Sequence, residues 1–64
     1  MKKIFYELTV KNTQFVCPED SLICLAVSKA LDLKDYSFCS QQQITTESAI
    51  AYLESIGISC KKQV

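Results

Sequence analysis

The sequence predicts a small α+β domain, a two-layer sandwich in which two helices cover one face of a mixed four-stranded sheet. Apolar residues alternate near the start of the chain, and two later segments repeat apolar residues at helical spacing. The expected order of elements is strand, strand, helix, strand, helix, strand (ββαβαβ). A chain of 64 residues is expected to form one domain, spanning residues 1–64.

The first two strands are predicted to form a hairpin. From Lys3 to Val10, apolar and β-branched residues alternate between two faces, which is typical of a strand. Lys11 and Asn12 suit a tight turn, because asparagine tolerates a left-handed backbone. Residues 13–17 would then return as the second strand.

The first helix is predicted to begin at Pro18 and to run to about Leu33. Proline is tolerated in a first turn, where its missing N–H costs nothing, and Glu19 and Asp20 favour the positive end of the helix dipole. Its apolar residues cover roughly half of the circumference at about 100° per residue. A surface helix needs an apolar stripe only slightly wider than about 100°.

Two explanations of this wide apolar arc remain open. The helix could be wedged between the sheet, the second helix and a loop. Alternatively, part of the arc, with Ile23, Leu25 or Val27, faces a partner protein or a second copy of the chain. These three residues are therefore candidates for partner binding.

The second half of the chain is predicted to contribute a strand, a helix and a last strand. Tyr36 to Ile44 begins with alternating residues, and whether Ser40 to Ile44 continues as strand or loop is left open. Thr45 or Thr46 caps the second helix, and Gly57 is the residue expected just past its end. A right-handed crossover would make the strands on either side of this helix parallel.

The opening hairpin followed by Cys17-Pro18-Glu19-Asp20-Ser21-Leu22 and a helix resembles the start of a β-grasp domain. The stretch Asp35–Cys39 is similar to the approach to the cluster loop of two-iron ferredoxins. Iron ligation requires several closely spaced cysteines, and only Cys39 is present at that place. The resemblance therefore implies no cluster.

The composition excludes most catalytic chemistry, so we expect no enzyme, no metal and no cofactor. The chain has no histidine and no arginine, and a single glycine. It therefore lacks a histidine-activated nucleophile, an arginine clamp on phosphate and a glycine-rich phosphate loop. The four cysteines are irregularly spaced and predict free buried thiols rather than a zinc site or a disulfide framework. Cys17 is the one candidate for a reactive thiol, because it stands at a predicted helix start.

The lysines are concentrated at the two ends of the chain. Lys2, Lys3, Lys61 and Lys62 lie there, whereas six of the seven acidic residues lie between residues 12 and 60. If the first and last strands are neighbours, these lysines converge at one end of the sheet. They would either keep strand edges soluble or contact phosphate or an acidic protein.

We therefore expect a cytoplasmic, non-enzymatic protein-binding module, an accessory subunit or inhibitor of a larger host protein or protein complex. A phage or mobile-element product that blocks host machinery, such as a defence complex, fits this description by association. A homodimer through the first helix is a further expectation, and no membrane contact is expected, since no apolar run spans a bilayer. The alternative is a small nucleic-acid-binding regulator that uses the terminal lysines and aromatic residues of the sheet.

Overall fold

The structure, a computed structural model, describes residues 3–63. Three strands and three helices follow one another as β1 (Phe5–Val10), β2 (Thr13–Pro18), α1 (Glu19–Asp32), α2 (Tyr36–Cys39), α3 (Thr46–Ser55) and β3 (Ser59–Lys62). The strands form an antiparallel sheet in the order β2-β1-β3, and α1 and α3 pack against each other on one face of it. No helix in residues 3–63 is long and apolar enough to cross a membrane.

The predicted hairpin is confirmed. Val10 pairs with Thr13, so Lys11 and Asn12 form a two-residue turn between β1 and β2. The left-handed backbone falls on Lys11, at φ +55°, and not on Asn12 as the sequence suggested. A lysine therefore occupies a conformation that favours glycine, asparagine or aspartate.

The predicted strand at Tyr36 is wrong, because residues 36–39 form the single helical turn α2. In a strand, Tyr36 and Phe38 would share one face, but Tyr36 is 60% exposed whereas Phe38 is only 6% exposed. Asp35 caps the turn, since its carboxylate accepts a hydrogen bond from the N–H of Phe38 at 3.4 Å. Ser40 to Ile44, left open by the sequence, contains neither strand nor helix.

The predicted mixed four-stranded sheet with two helices is also wrong. With no strand at residues 36–39, residues 3–63 contain a sheet of three strands and three helices. The predicted parallel crossover is therefore absent from the described residues, and β3 instead returns antiparallel to β1. The resemblance to the start of a β-grasp domain likewise ends with α1, because α2 replaces the strand.

The core is small and lies between the sheet and the helices. Its fully buried large side chains are Leu8 at the centre of the sheet, Leu22 of α1 and Leu53 of α3. The remaining buried residues of the core cluster are Ala26, Ala30, Phe38, Ala49 and Ile58. Alanines where α1 meets α3 let the two helices approach closely. The Cα positions extend over 32 × 31 × 14 Å.

The boundaries of α3 follow the sequence prediction. The Thr45 hydroxyl accepts a hydrogen bond from the N–H of Ser48 at 3.1 Å, and the Ser48 hydroxyl accepts one from the N–H of Thr45 at 3.0 Å. These two bonds satisfy two of the free N–H groups of the first turn. At the other end Gly57 takes the left-handed backbone, at φ +93°. The cap and the terminating glycine are thus confirmed.

Candidate functional site

The predicted partner-binding residues of α1 are half-buried. Ile23, Leu25 and Val27 all pack against the core cluster. The outward positions of the same helix are Asp20, Cys24 and Ser28, which are small or polar. The middle of α1 therefore presents a polar outer surface, and a role of the three apolar residues in partner binding stays a prediction.

Lys3, Lys61 and Lys62 lie toward one end of the sheet, as the adjacency of β1 and β3 requires. Lys3 lies just before β1, and Lys61 and Lys62 are the last two residues of β3. All three lysines are exposed. Lys61 pairs with Glu7 and Lys62 with Tyr6, so these two lysines project from opposite faces of the sheet. Lys2, also predicted here, lies outside the described residues.

The most exposed large apolar side chains lie where α1 meets α2. Leu31 is 51% exposed, Leu33 is 59% exposed and Tyr36 is 60% exposed. We call these three residues the α1–α2 corner. The charged residues Asp32 and Lys34 alternate with them along the chain. The corner therefore combines an exposed apolar centre with a charged rim.

The backbone holds the α1–α2 corner in a defined turn. The N–H of Asp35 donates to the carbonyl of Ala30 at 2.8 Å, and the N–H of Lys34 donates to the carbonyl of Leu31 at 3.1 Å. This pair of bonds is the Schellman motif, which usually places glycine at the left-handed position. Here Lys34 occupies that position, with φ +58°.

The turn α2 fixes the far side of the corner to α3. The ring of Phe38 stacks on the ring of Tyr52, with 4.2 Å between centroids and 24° between planes. The thiol of Cys39 points toward the carbonyl of Val27 on α1, at 4.0 Å. Since α2 is held from both helices, Tyr36 is presented from a packed element and not from a free loop.

Sequence reasoning missed the α1–α2 corner for identifiable reasons. In the sequence, Leu31 and Leu33 belong to the apolar arc of the first helix. No sequence feature distinguishes the exposed positions of that arc from the buried ones. Tyr36 was assigned to a strand, where it would have shared a face with Phe38. The only local signal was the charge alternation through Asp32, Lys34 and Asp35, which indicates an exit to solvent.

The thiols of the inner sheet face are poorly suited to nucleophilic chemistry. Burial raises the pKa of Cys17 above its ordinary value. Burial also raises the pKa of Cys60, with smaller contributions from the neighbouring Glu54 and Cys17. A raised pKa keeps a thiol protonated near neutral pH, and the thiolate is the reactive form. Cys17, the candidate reactive thiol, thus lies in surroundings that disfavour its activation.

The described residues form no metal centre, and the depression beside Gly57 is open and not an enclosed cleft. In residues 3–63, no three cysteine, aspartate or glutamate side chains are grouped so that they could hold a metal ion. A shallow open depression of about 340 Å³ lies against Glu54, Gly57, Ile58 and Ser59. Its one ionisable side chain is a carboxylate, and a binding cleft ordinarily buries most of its ligand among convergent polar groups.

The hydroxyl of Tyr52 is shielded from water and makes no hydrogen bond within the described residues. Burial raises the pKa of Tyr52, and the nearby carboxylate of Asp35 adds to this effect. No atom of Asp35 meets hydrogen-bond geometry with the Tyr52 hydroxyl, so Asp35 acts as a neighbouring charge and not as a hydrogen-bond partner. The hydroxyl is consequently a polar group with nothing to compensate its lost hydration.

Comparisons with known proteins add no functional assignment. The chain matches no protein-family model, no curated protein and no solved structure. The functional argument therefore rests on the residues and geometry described above.

Proposed function

We propose that this protein is a non-enzymatic protein-binding module, which acts as an accessory subunit or inhibitor of a larger protein through the α1–α2 corner. The observation that carries the proposal is the exposure of Leu31, Leu33 and Tyr36, each more than half open to solvent. Each of them is more exposed than any other large apolar side chain in the described residues.

The chemistry of the corner suits recognition of a protein surface. Binding energy at interfaces is concentrated in a few residues, among which tyrosine is enriched, near the centre of the contact. Charged residues around such a centre steer the encounter and disfavour wrong partners. Tyr36 with two leucines supplies the centre, and Asp32 and Lys34 supply charges of both signs.

The strained backbone at Lys34 supports the same assignment. A lysine at φ +58° costs roughly 1–2 kcal/mol relative to an ordinary conformation, and glycine would remove that cost. Strained positions of this kind concentrate at functional sites.

The proposed partner is a larger host protein or protein complex in the cytoplasm. In support of this compartment, all four cysteines are free thiols, a state that reducing conditions maintain. A phage or mobile-element product that blocks host machinery is one form that such an inhibitor takes.

A nucleic-acid-binding regulator is the second candidate, and one observation favours it. Lys3 lies just before β1 and Lys61 on the adjacent strand β3, and the register places Phe5 on the same outer face as Lys61. An exposed aromatic ring beside lysines can stack a base and contact phosphate. Net charge zero and the absence of arginine argue against it.

The test is a pull-down of tagged protein from host lysate, with and without nuclease, read by mass spectrometry. Leu33→Glu places a charge at the centre of the corner, and Ala51→Glu places the same charge at an exposed position of α3. We expect one partner protein to be captured in stoichiometric amount, with or without nuclease. The Ala51→Glu variant should still capture this partner, and the Leu33→Glu variant should not.

The other outcomes each contradict the proposal. Capture that disappears with nuclease would replace it with the nucleic-acid regulator. Equal capture by both variants would remove the α1–α2 corner as the binding surface. Recovery of nothing except the protein itself would exclude a larger partner in that host. Circular dichroism of the two variants checks that both remain folded.

A further inference from the structure

The outer edge of β2 is uncovered. The strand lies at one edge of the sheet, and all four residues from Thr13 to Val16 are exposed. Helices α1 and α3 pack against each other, α3 contacts β3 at the opposite edge of the sheet, and α1 contacts β2 without burying Thr13 to Val16. The first four residues of β2 therefore extend beyond the helical layer.

Two backbone hydrogen bonds establish which groups of β2 point outward. The N–H of Glu19 donates to the carbonyl of Ile4, and the N–H of Gln63 donates to the carbonyl of Phe5. Even-numbered residues of β1 thus bond toward β2, and odd-numbered residues bond toward β3. From the register, Thr13, Phe15 and Cys17 of β2 bond to β1.

It follows that Gln14 and Val16 direct their N–H and carbonyl groups away from the sheet. Pro18 is the next residue of the same parity, and it has no N–H to leave unpaired. The edge of β2 therefore offers two complete donor and acceptor pairs, at residues 14 and 16. Such a row of groups is a template for one more strand.

The two edges of the sheet differ in how they resist such pairing. The edge strand β3 has four residues, of which Lys61 and Lys62 are charged. Lysine on a short edge strand is a common protection against edge-to-edge association. The other edge strand, β2, has six residues and no charged residue among them. Charged side chains therefore protect the β3 edge and not the β2 edge.

Phe15 adds an apolar contact at the unprotected edge. In the register it lies opposite Leu8 and therefore on the face that the helices cover. Leu8 is fully buried, whereas Phe15 is 39% exposed and lies outside the core cluster. The ring thus lies at the margin of the helical layer and remains partly open to solvent.

We propose that this edge binds the β2 strand of a second copy of the chain, antiparallel, about a two-fold axis at Phe15. Gln14 of one copy then lies opposite Val16 of the other, and their outward N–H and carbonyl groups form hydrogen bonds. The two Phe15 side chains lie directly opposite each other, in a non-hydrogen-bonded pair where side chains approach closely. The result is one continuous six-stranded sheet with a symmetric interface.

The surface area of the chain is consistent with a dimer. The accessible surface is 4783 Å², whereas a compact monomer of 7.2 kDa exposes about 4,100 Å². The surplus of roughly 700 Å² lies within the about 600–1,000 Å² that each partner buries in a standard interface.

The first test measures self-association of the purified chain by sedimentation across concentrations from about micromolar to millimolar. Phe15→Glu places two like charges opposite each other at the two-fold axis. Phe5→Glu is the matched control, since Phe5 is 37% exposed and belongs to the central strand. We expect the wild-type chain to dimerise, Phe15→Glu to weaken the dimer at least about tenfold, and Phe5→Glu to change it less than about threefold.

The second test uses amide hydrogen exchange and Gln14→Pro, which removes an outward N–H without removing a bond to β1. In the proposed dimer, the Gln14 and Val16 amides become protected as concentration rises, and Gln14→Pro abolishes dimerisation. A wild-type chain that stays monomeric at millimolar concentration would overturn the proposal. So would a dimer in which these two amides exchange as fast as in the monomer, or one that Phe5→Glu and Phe15→Glu weaken equally.

Discussion

Backbone strain at Lys34 is measurable, because the chain contains an internal reference for it. The turn after α1 and the turn after α3 close with equivalent hydrogen bonds, to Ala30 and Leu31 in one and to Leu53 and Glu54 in the other. The left-handed position is Lys34, at φ +58°, in the first turn and Gly57, at φ +93°, in the second. Two matched Schellman motifs thus differ in the residue at the position that favours glycine.

The magnitude follows from two opposing terms. A non-glycine residue in the left-handed region costs about 1–2 kcal/mol, whereas glycine in place of alanine costs about 0.5–1 kcal/mol through the freedom of the unfolded chain. At the midpoints of the two ranges the difference favours glycine by about 0.75 kcal/mol, and we take about 0.5–1 kcal/mol as the expected effect. In a domain of this size that corresponds to roughly 2–8 °C in Tm.

The assay compares Lys34→Gly with Lys34→Ala in urea and thermal unfolding followed by circular dichroism. Both variants remove a charge that favours the helix C-terminus by about 0.3–1 kcal/mol, so their difference isolates the backbone. We expect Lys34→Gly to exceed Lys34→Ala by about 0.5–1 kcal/mol in the free energy of unfolding. Gly57→Ala should lose a similar amount, because a Cβ at Gly57 meets no atom within 4 Å.

Equal stability of the Lys34→Gly and Lys34→Ala variants would refute this reasoning. That result would mean that the left-handed backbone at residue 34 carries no cost, and the support that strain lends to the α1–α2 corner would disappear. A Gly57→Ala variant as stable as the wild type would refute the same reasoning independently, at a position distant from the corner.

Three further predictions concern stability. Leu53→Ala removes a fully buried side chain and should cost about 2–5 kcal/mol, a large part or all of the roughly 3–5 kcal/mol that a core of this size supplies. Urea unfolding followed by circular dichroism measures the loss, and a loss below about 1 kcal/mol would contradict the prediction. Tyr52→Phe should be neutral or stabilising, because its hydroxyl is buried without a partner; a loss above about 1 kcal/mol in urea unfolding would instead indicate a hydrogen bond to Asp35. Burial raises the pKa of Cys17 and Cys60 from 9.0, so the native state holds these protons more tightly than the unfolded chain does. The stability from this effect is present below pH 9 and is lost as pH rises above it; urea unfolding between pH 8 and 10.5 measures the loss, and a double Cys→Ala variant should lose less.

The ends of α3 show why some elements were predictable. Thr45 caps the helix through a residue three positions later, and Gly57 ends it through carbonyls within the last turn. The partners of these groups lie a few residues away, so the sequence alone contains the whole interaction. The hairpin turn at Lys11 was predictable for the same reason, although the residue that takes the left-handed backbone was not.

The segment at Tyr36 shows where this local reasoning stops. Over four residues an alternating pattern does not distinguish a strand from one turn of helix. The choice depends on Phe38, which is buried by stacking on Tyr52 of α3, a residue 14 positions away in the chain. Because this one assignment was wrong, the strand count, the mixed sheet and the parallel crossover were wrong with it.

The sequence by itself determined the hairpin and the limits of the two long helices. These depend on residue types and on contacts between near neighbours. The tertiary structure decided the strand order, the exposure of Leu31, Leu33 and Tyr36, and the half-burial of Ile23, Leu25 and Val27. Burial depends on which distant elements cover a side chain, and an apolar arc looks the same in the sequence whether or not anything covers it.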